Sequence, residues 1–150
     1  MTFDDLAWVK SVWNGPIVIK GIQSVEDAVK CAEIGVDAIV LSNHGGRQLD
    51  RGTVPLELLP HVVKAVGDTM DVYIDGGVMS GQDVYGAIAL GAKGVLFGRA
   101  YLYGIMAGGQ YGVQRTVDIL RKELLNTMAL CGVKNLQEAR ALGAKIRTSP

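Results

Sequence analysis

The 150-residue sequence predicts an α/β fold with a parallel sheet, built from repeats of a strand followed by a helix. Four short apolar runs rich in β-branched residues predict the strands: Ile17-Val18-Ile19, Ala38 to Leu41, Val72-Tyr73-Ile74 and Val95-Leu96-Phe97. None of these runs alternates polar with apolar residues, which is typical of strands covered on both faces. No linker or break in composition divides the chain, so we expect one domain over residues 1–150.

Capping residues predict where the helices begin and end. Three hydroxyl residues each have an aspartate three positions later, as helix caps do: Thr2 with Asp5, Ser24 with Asp27 and Ser80 with Asp83. A further helix begins at Pro55, since proline is favoured in the first turn. Glycines end three of the helices: Gly35, Gly67 and Gly91. We expect a longer helix from about Gly112 to Leu130 and a short one from Leu136 to Leu142.

Composition and charge exclude several classes of function. Fifteen basic and fifteen acidic residues cancel, which argues against nucleic acid or an anionic membrane as a partner. No apolar stretch approaches the roughly 20 residues that a transmembrane helix needs. The first five residues include two aspartates where a signal peptide would be basic, so we expect a cytoplasmic protein. Cys31 and Cys131 have no metal-ligand spacing, and we expect two buried, reduced thiols and no metal site.

Polar residues follow every predicted strand. The segments are Lys20-Gly21, Ser42 to Arg47, Asp75-Gly76-Gly77 and Gly98-Arg99. Because the carboxyl ends of parallel strands meet at one edge of a sheet, we expect these segments to lie together. In a (β/α)8 barrel that edge holds the active site, with a phosphate site commonly placed after the last two strands. An open doubly wound sheet also binds its ligand there, and the periodicity of the sequence does not distinguish the two folds.

His44 and Arg47 are the strongest candidates for chemistry on a substrate. An imidazole accepts protons near neutral pH, and a planar guanidinium is suited to clamping a carboxylate. Together they suit a small anion that carries a removable proton. The alternative for Arg47 is a surface salt bridge. Lys20 must reach an anion or the open edge of the sheet, because an unpaired charge is costly to bury. The alternative to a functional role is that its side chain only extends into water.

Asp75-Gly76-Gly77 and Gly98-Arg99 have the composition of an anion-binding cradle. Glycine lets backbone N–H groups approach phosphate oxygens closely, and we expect the helix that starts near Ser80 to direct its positive end the same way. Arg99 adds a bidentate donor. The alternative is that the glycines only serve tight turns and that Arg99 is a solvated charge. Ser42 is either a hydroxyl donor to a ligand or a turn residue.

Five segments match the motifs of a known family, in the same order: Pro16 to Ile22, Ser42 to Asp50, Asp75 to Val78, Ala89 to Ala92 and Gly98 to Gly104. With them the chain closely resembles the C-terminal half of the FMN-dependent 2-hydroxy acid dehydrogenases and oxidases. This is the family of flavin-type L-lactate dehydrogenase, glycolate oxidase and mandelate dehydrogenase. The segment from Ser42 to Asp50 is highly specific for the family, whereas Gly98-Arg99 alone is a weak signal.

The resemblance implies the C-terminal half of a TIM (β/α)8 barrel, with these strands as the fifth to eighth, and FMN as the cofactor. It implies that His44 accepts the hydroxyl proton of a 2-hydroxy acid while hydride leaves the 2-carbon for flavin N5. Arg47 would hold the substrate carboxylate, Lys20 would stabilise the reduced flavin near N1 and O2, and Ser42 would contact the flavin's polar edge. The implied ribityl-phosphate path consists of Asp75, Gly76, Gly77, Val78, Gly98 and Arg99, with Met79 at the next position.

The chain departs from the family pattern in two ways. Met79 stands where the family often has a basic residue, which predicts weakened FMN affinity. The chain also holds four βα units, whereas a whole barrel needs about 250 residues. Its two open sheet edges predict pairing with a missing N-terminal half or with a second copy. Two other functions stay open: a non-catalytic half-barrel that binds FMN or phosphate, and a family member that oxidises a modified peptide in redox-cofactor maturation.

Overall fold

The computed structural model of the chain describes residues 2–146, which contain one sheet of four parallel strands. The strands are β1 (Val18–Ile22), β2 (Ala38–Leu41), β3 (Asp71–Ile74) and β4 (Gly94–Val95). Each strand pairs with the next one along the chain, so the order in the sheet is the order in the sequence. A doubly wound sheet needs a point where the strand order reverses. The consecutive order is instead that of a (β/α)8 barrel.

One helix precedes the strands, three connect them and two follow the last one, among the residues described. They are α1 (Phe3–Val12), α2 (Val25–Ile34), α3 (Pro55–Val66), α4 (Gly81–Ala89), α5 (Arg99–Leu130) and α6 (Leu136–Leu142). The predicted caps are confirmed: capping boxes form between Thr2 and Asp5 and between Ser80 and Asp83, and the Ser24 hydroxyl accepts from the Asp27 N–H. Hydrogen bonds from the backbone and side chain of Thr2 lower the pKa of the Asp5 carboxyl.

The helix expected from about Gly112 to Leu130 is the second half of the longest helix, α5, which begins earlier, at Arg99. The first half of α5 was not expected. Gly108 and Gly109 interrupt α5 with non-helical backbone angles and divide it into two helical halves. The two halves meet at Gly104 and Gly112, where a Cβ on Gly104 would stand 2.7 Å from the Gly112 carbonyl oxygen. Neither α5 nor any other helix within residues 2–146 combines the length and apolar content needed to cross a membrane.

The hydrophobic core lies between the helices and one face of the sheet. Alternate strand residues and the residue before β1 supply that face: Ile17, Ile19, Ile39, Leu41, Val72 and Ile74. On the opposite face lie Val18, Lys20 and Tyr73, and Val18 is 54% exposed. Within the described residues, only β2 is buried along its whole length. The prediction that the strands are covered on both faces is therefore wrong for β1, β3 and β4. Right-handed crossovers between neighbouring parallel strands place their helices on the same face, which explains the difference.

The two cysteines differ in their surroundings. Cys31, in α2, is buried as expected, and burial raises the pKa of its thiol. Cys131 directly follows the last residue of α5 and is exposed. The expectation of a second buried thiol is therefore wrong, because this cysteine stands at a helix end on the surface and not on a packed helix face.

Candidate active site

A cleft of about 450 Å³ opens at the carboxyl edge of the sheet, where the segments after the four strands meet. The residues on its wall that the sequence indicated are Lys20, His44, Arg47, Asp75, Gly76, Gly77, Val78, Met79, Gly98 and Arg99. Ser42 is not on this wall; its side chain is buried behind it. The fold therefore brings the predicted residues together, while the individual roles that the resemblance implies stay predictions.

Lys20 lies inside β1, which continues to Ile22, and not after the end of the strand as expected. The strand is irregular there: its register with β2 shifts between Lys20 and Ile22, and Gly21 has a φ of +105°. The Lys20 ammonium lies 2.8 Å from Asp75 Oδ2 and donates a hydrogen bond to Ser42 Oγ at 3.1 Å. Its charge is therefore paired, and residues after β2 and β3 fix its position.

Ser42 is fully buried, and its hydroxyl oxygen has two donors. One is the Lys20 ammonium, and the other is the backbone N–H of His44, which donates to Ser42 Oγ at 3.1 Å. The serine therefore holds the lysine and the start of the histidine turn in a fixed relation. The predicted contact of Ser42 with a flavin stays a prediction.

His44 begins a single 3-10 turn, His44–Gly46, shortly after β2. Its φ of +54° is left-handed, a conformation that costs a non-glycine residue about 1–2 kcal/mol. The imidazole lies against Gly21, where a Cβ would stand 3.0 Å from His44 Cε1. Glycine at this position therefore leaves space for the ring, which lies exposed on the wall of the cleft. Arg47 follows the turn and is exposed on the same wall.

The glycines after β3 and β4 lie together on the cleft wall, where the sequence predicts an anion-binding cradle. Gly76 and Gly77 have φ values of +92° and +77°, which glycine adopts without strain. A Cβ on Gly77 or Gly98 would meet no described atom within 4 Å, so the backbone there borders open space. Gly98 is also the N-cap of α5, whose start has no side-chain cap among the residues described. The first N–H groups of α5 are therefore available to an anion in the cleft.

The helix after Ser80, α4, does not contribute to the cradle as expected: none of its residues lines the cleft, and two carboxylates lie at its N-terminus. Asp83 Oδ2 accepts from the N–H groups of Met79 and Ser80 at 2.9 and 2.8 Å. Glu123 Oε2, from α5, accepts from the Gly81 N–H at 2.8 Å. The protein's own side chains therefore neutralise the positive end of α4. The helix N-terminus of the cradle belongs to α5.

Arg99 connects the cradle to the histidine turn. Its Nη2 donates to the carbonyl oxygen of Gly45 at 2.9 Å, and its side chain also lines the cleft. A guanidinium has five N–H donors, so others remain for a phosphate. Asp75 adds an acceptor: its Oδ1 is buried and has no hydrogen-bond partner within the described part of the chain. A hydroxyl of a bound molecule would satisfy this oxygen.

Three apolar or aromatic residues on the cleft wall are not among those that the sequence indicated: Phe97, Leu102 and Tyr103. Leu102 and Tyr103 stand three and four positions after Arg99 in α5, and residues at this spacing share a helix face. They lie in the first half of α5, over which no helix was predicted, so their shared face could not be identified from the sequence. These side chains give the cleft an apolar wall beside the polar cradle.

Fold and cleft together define a class of protein: a barrel half of four βα units with a glycine and arginine cradle for a phosphorylated cofactor. Comparison with known proteins identifies the family. The sequence profile of the FMN-dependent dehydrogenases matches residues 1–144. The chain belongs to the FMN-dependent dehydrogenase family.

Individual relatives agree with this assignment. An L-lactate dehydrogenase of Caulobacter vibrioides is 49% identical over 134 residues, which cover 89% of this chain and 35% of that protein. A pre-mycofactocin synthase of Mycobacterium tuberculosis is 48% identical over 120 residues, which cover 80% of this chain and 30% of that protein. A solved structure of a mandelate oxidase aligns with a TM-score of 0.93 at 40% identity, over 97% of this chain and 45% of the other. The chain therefore spans about a third of the length of the curated relatives that it matches.

The residues present fit FMN, the cofactor that the family description names. FMN carries a phosphate on a polyol chain, and the cleft has groups suited to both. Arg99 and the start of α5 suit the phosphate, and the unpartnered Asp75 Oδ1 suits a polyol hydroxyl. Lys20 adds a fixed positive charge next to Asp75.

Proposed function

We propose that the completed barrel, of which this chain is one half, oxidises a small L-2-hydroxy acid to the 2-oxo acid with FMN as its cofactor. The observation that carries the proposal is the presence of Lys20, His44 and Arg47 on the wall of one cleft, beside the glycine cradle. A proton acceptor, a carboxylate-binding cation and a fixed ammonium are the groups that this oxidation needs. Lactate, glycolate and mandelate all belong to the substrate class, and the proposal does not choose among them.

Two residues act on the substrate in this mechanism. Arg47 binds the carboxylate through its planar guanidinium and so fixes the 2-carbon in the cleft, and orientation of this kind supplies much of an enzyme's rate. His44 accepts the hydroxyl proton at an imidazole nitrogen. Its ring is available for this because the left-handed turn and Gly21 place it exposed on the cleft wall.

Lys20 and the cradle act on the cofactor side. When bound, FMN supplies the two-electron oxidation by accepting the hydride from the 2-carbon. The Lys20 ammonium stays at one position because Asp75 and Ser42 hold it, and a preorganised cation stabilises negative charge that develops nearby. The cradle residues hold the phosphate and so fix the cofactor relative to His44.

A second candidate is the oxidation of a modified peptide by the same residues, as in redox-cofactor maturation. The 48% identity with a pre-mycofactocin synthase supports it, because this similarity nearly equals the 49% identity with an L-lactate dehydrogenase. A third candidate is a half-barrel that binds FMN or phosphate without turnover. Arg99 on the cleft wall and the start of α5, which has no side-chain cap among the residues described, support binding of this kind.

The test is the anaerobic reduction of flavin bound to the purified protein once the other half of the barrel is supplied. We expect the flavin absorbance to bleach when L-lactate or glycolate is added. Bound flavin that a modified peptide reduces, and no hydroxy acid does, supports the second candidate. Bound flavin that neither substrate reduces supports the third. Phosphate binding without flavin binding also supports the third, and the absence of both contradicts all three functions.

A further inference from the structure

Asn43 is not on the cleft wall, yet its side chain contacts both ends of the segment that carries His44 and Arg47. Asn43 Oδ1 accepts a hydrogen bond from the Gly45 N–H at 3.0 Å. Asn43 Nδ2 donates a longer one to the carbonyl oxygen of Thr53, at 3.4 Å. One half-buried amide therefore closes the segment formed by residues 44–53, here called the histidine loop.

The histidine loop needs such a restraint because its own backbone and packing hold it weakly. His44, Gly45 and Gly46 have three consecutive positive φ values, of +54°, +69° and +74°. Residues 44–51 are all exposed. Apart from the Asn43 side chain, hydrogen bonds with Ser42, the Asn43 carbonyl and Arg99 restrain the first three residues of the loop. The Asn43–Thr53 bond restrains its far end, beyond Arg47.

Asn43 also has a fixed place in the fold. A Cβ on Gly76 would stand 3.6 Å from Asn43 Oδ1, so the amide lies against the backbone that follows β3. The same amide group therefore forms hydrogen bonds with the start and the end of the histidine loop and lies close to the neighbouring strand end. A side chain in this position can set the geometry of the loop relative to the cradle.

We propose that Asn43 is a positioning residue, which closes the histidine loop and so holds the His44 imidazole and the Arg47 guanidinium in the relative position that a 2-hydroxy acid needs. The inference rests on the proposed function. Asn43 contacts no reacting atom in that mechanism and acts through the loop. Its loss is therefore expected to affect substrate binding and proton transfer, and to spare the glycine cradle.

Three variants of the full chain separate this role from simple stabilisation. Asn43→Ala removes both hydrogen bonds. Asn43→Asp keeps an acceptor for the Gly45 N–H and loses the donor to Thr53. Asn135→Ala is the matched control: Asn135 caps α6 with the same two groups, Oδ1 accepting from the Glu138 N–H at 2.9 Å and Nδ2 donating to the Glu138 carboxylate at 3.1 Å.

The first measurement is NMR of the two histidines in the chain without any ligand. His61, exposed on α3, is the internal reference. In Asn43→Ala we expect the His44 ring signals to shift or broaden while those of His61 stay in place. Asn43→Asp is expected to give a smaller change, and Asn135→Ala none. Unchanged His44 signals in Asn43→Ala, or equal changes in Asn135→Ala, would overturn the proposal.

The second measurement uses the FMN-loaded protein and oxalate, a carboxylate with no hydrogen to lose. We expect Asn43→Ala to bind FMN within about twofold of the unaltered protein, since the cradle is a separate site. Oxalate affinity and the rate of flavin reduction by L-lactate should each fall about tenfold or more. A parallel loss of FMN affinity would overturn the positioning role. If the unaltered protein binds neither FMN nor oxalate, the proposed function fails, and the histidine spectra alone decide whether Asn43 holds the loop.

Discussion

Ser42 shows how one buried hydroxyl orders two groups of the site. Its oxygen accepts from the Lys20 ammonium and from the His44 backbone, both at 3.1 Å. A buried polar atom whose hydrogen bonds are formed costs little free energy of folding, whereas the same atom without donors would destabilise the fold by about 1–3 kcal/mol. The serine therefore depends on the lysine and the histidine turn as much as they depend on it. This mutual dependence keeps the ammonium and the imidazole in one arrangement.

His44→Gln tests the proton acceptor. Glutamine keeps a polar side chain of similar size but does not accept the hydroxyl proton, so flavin reduction by the hydroxy acid is expected to fall by about 10²–10⁴-fold. FMN binding should persist, because the glycine cradle is separate from the imidazole. Stopped-flow reduction and FMN titration measure the two effects. The matched control is His61→Gln on α3, which should leave both unchanged. Full turnover in His44→Gln would remove this residue from the mechanism.

Met79→Arg tests the departure from the family pattern in the cradle. Met79 lies on the cleft wall and is 49% exposed. An arginine there adds a cation near the cradle, and a charge-assisted hydrogen bond to the FMN phosphate should lower the dissociation constant about tenfold. Fluorescence titration with FMN at low and high salt measures the gain, which should shrink as salt increases.

The control for this gain is the same change of charge away from the cleft. Met106 is 81% exposed on α5 and is not part of the cleft wall. Met106→Arg should leave the FMN dissociation constant as it is. Equal values for Met79→Arg and the unaltered protein at low salt would mean that position 79 does not reach the phosphate.

At the scale of the elements, the sequence predicted helix caps better than strand ends: β1 continues to Ile22 and not Ile19, and β4 ends at Val95 and not at Phe97. A hydroxyl residue three positions before an aspartate is a local signal, and it marks the starts of α1, α2 and α4 correctly. The start of α5 has no such local signal, because the apolar stripe that indicates this helix begins only after the interruption at Gly108 and Gly109. The occupied N-terminus of α4 was also unpredictable, since Glu123 comes from a distant part of the chain.

The candidate site was also predictable only in part. Strand-end position alone predicted that Lys20, His44 and Arg99 meet, because parallel strands end at one edge. The contacts that hold them were not predictable, since the Arg99 bond to Gly45 and the packing of His44 on Gly21 depend on three-dimensional proximity. Local patterns therefore give the groups of a site, and packing gives their arrangement.

Gly104→Ala tests whether the crossing of the two halves of α5 shapes the cleft. A Cβ on Gly104 would stand 2.7 Å from the Gly112 carbonyl oxygen, so the two halves must move apart. We expect the free energy of unfolding to fall by about 1–3 kcal/mol, as for other overpacked sites. FMN affinity should fall as well, because the displaced half carries Leu102 and Tyr103 on the cleft wall. Chemical denaturation and FMN titration measure the two effects.

Gly108→Ala is the control for Gly104→Ala. Gly108 has an extended φ of −168°, and a Cβ there would meet no described atom within 4 Å. The same added methyl group should therefore change neither stability nor FMN affinity appreciably. If Gly104→Ala and Gly108→Ala behave alike, close packing of the two halves of α5 is not what shapes the cleft.

At the scale of the whole molecule, the sheet is half of a closed structure. β1 and β4 each have one strand neighbour within the described residues, so each leaves an edge of backbone donors and acceptors. The face of the sheet away from the helices is also partly open, with Val18 54% exposed. In a complete (β/α)8 barrel, side chains from eight strands fill that face in layers. Both features indicate a sheet that four more strands would complete.

We predict that the chain pairs with the other half of a barrel or with a second copy, since two such halves supply the eight strands that close it. Light scattering across a dilution series should show a dimer of the chain alone, or a complex with the separately supplied half. Val18→Lys, which places a charge on the open face of edge strand β1, should weaken either complex. Leu130→Lys, at the 79% exposed end of α5, should not. A well-folded monomer that also ignores the other half would refute the pairing.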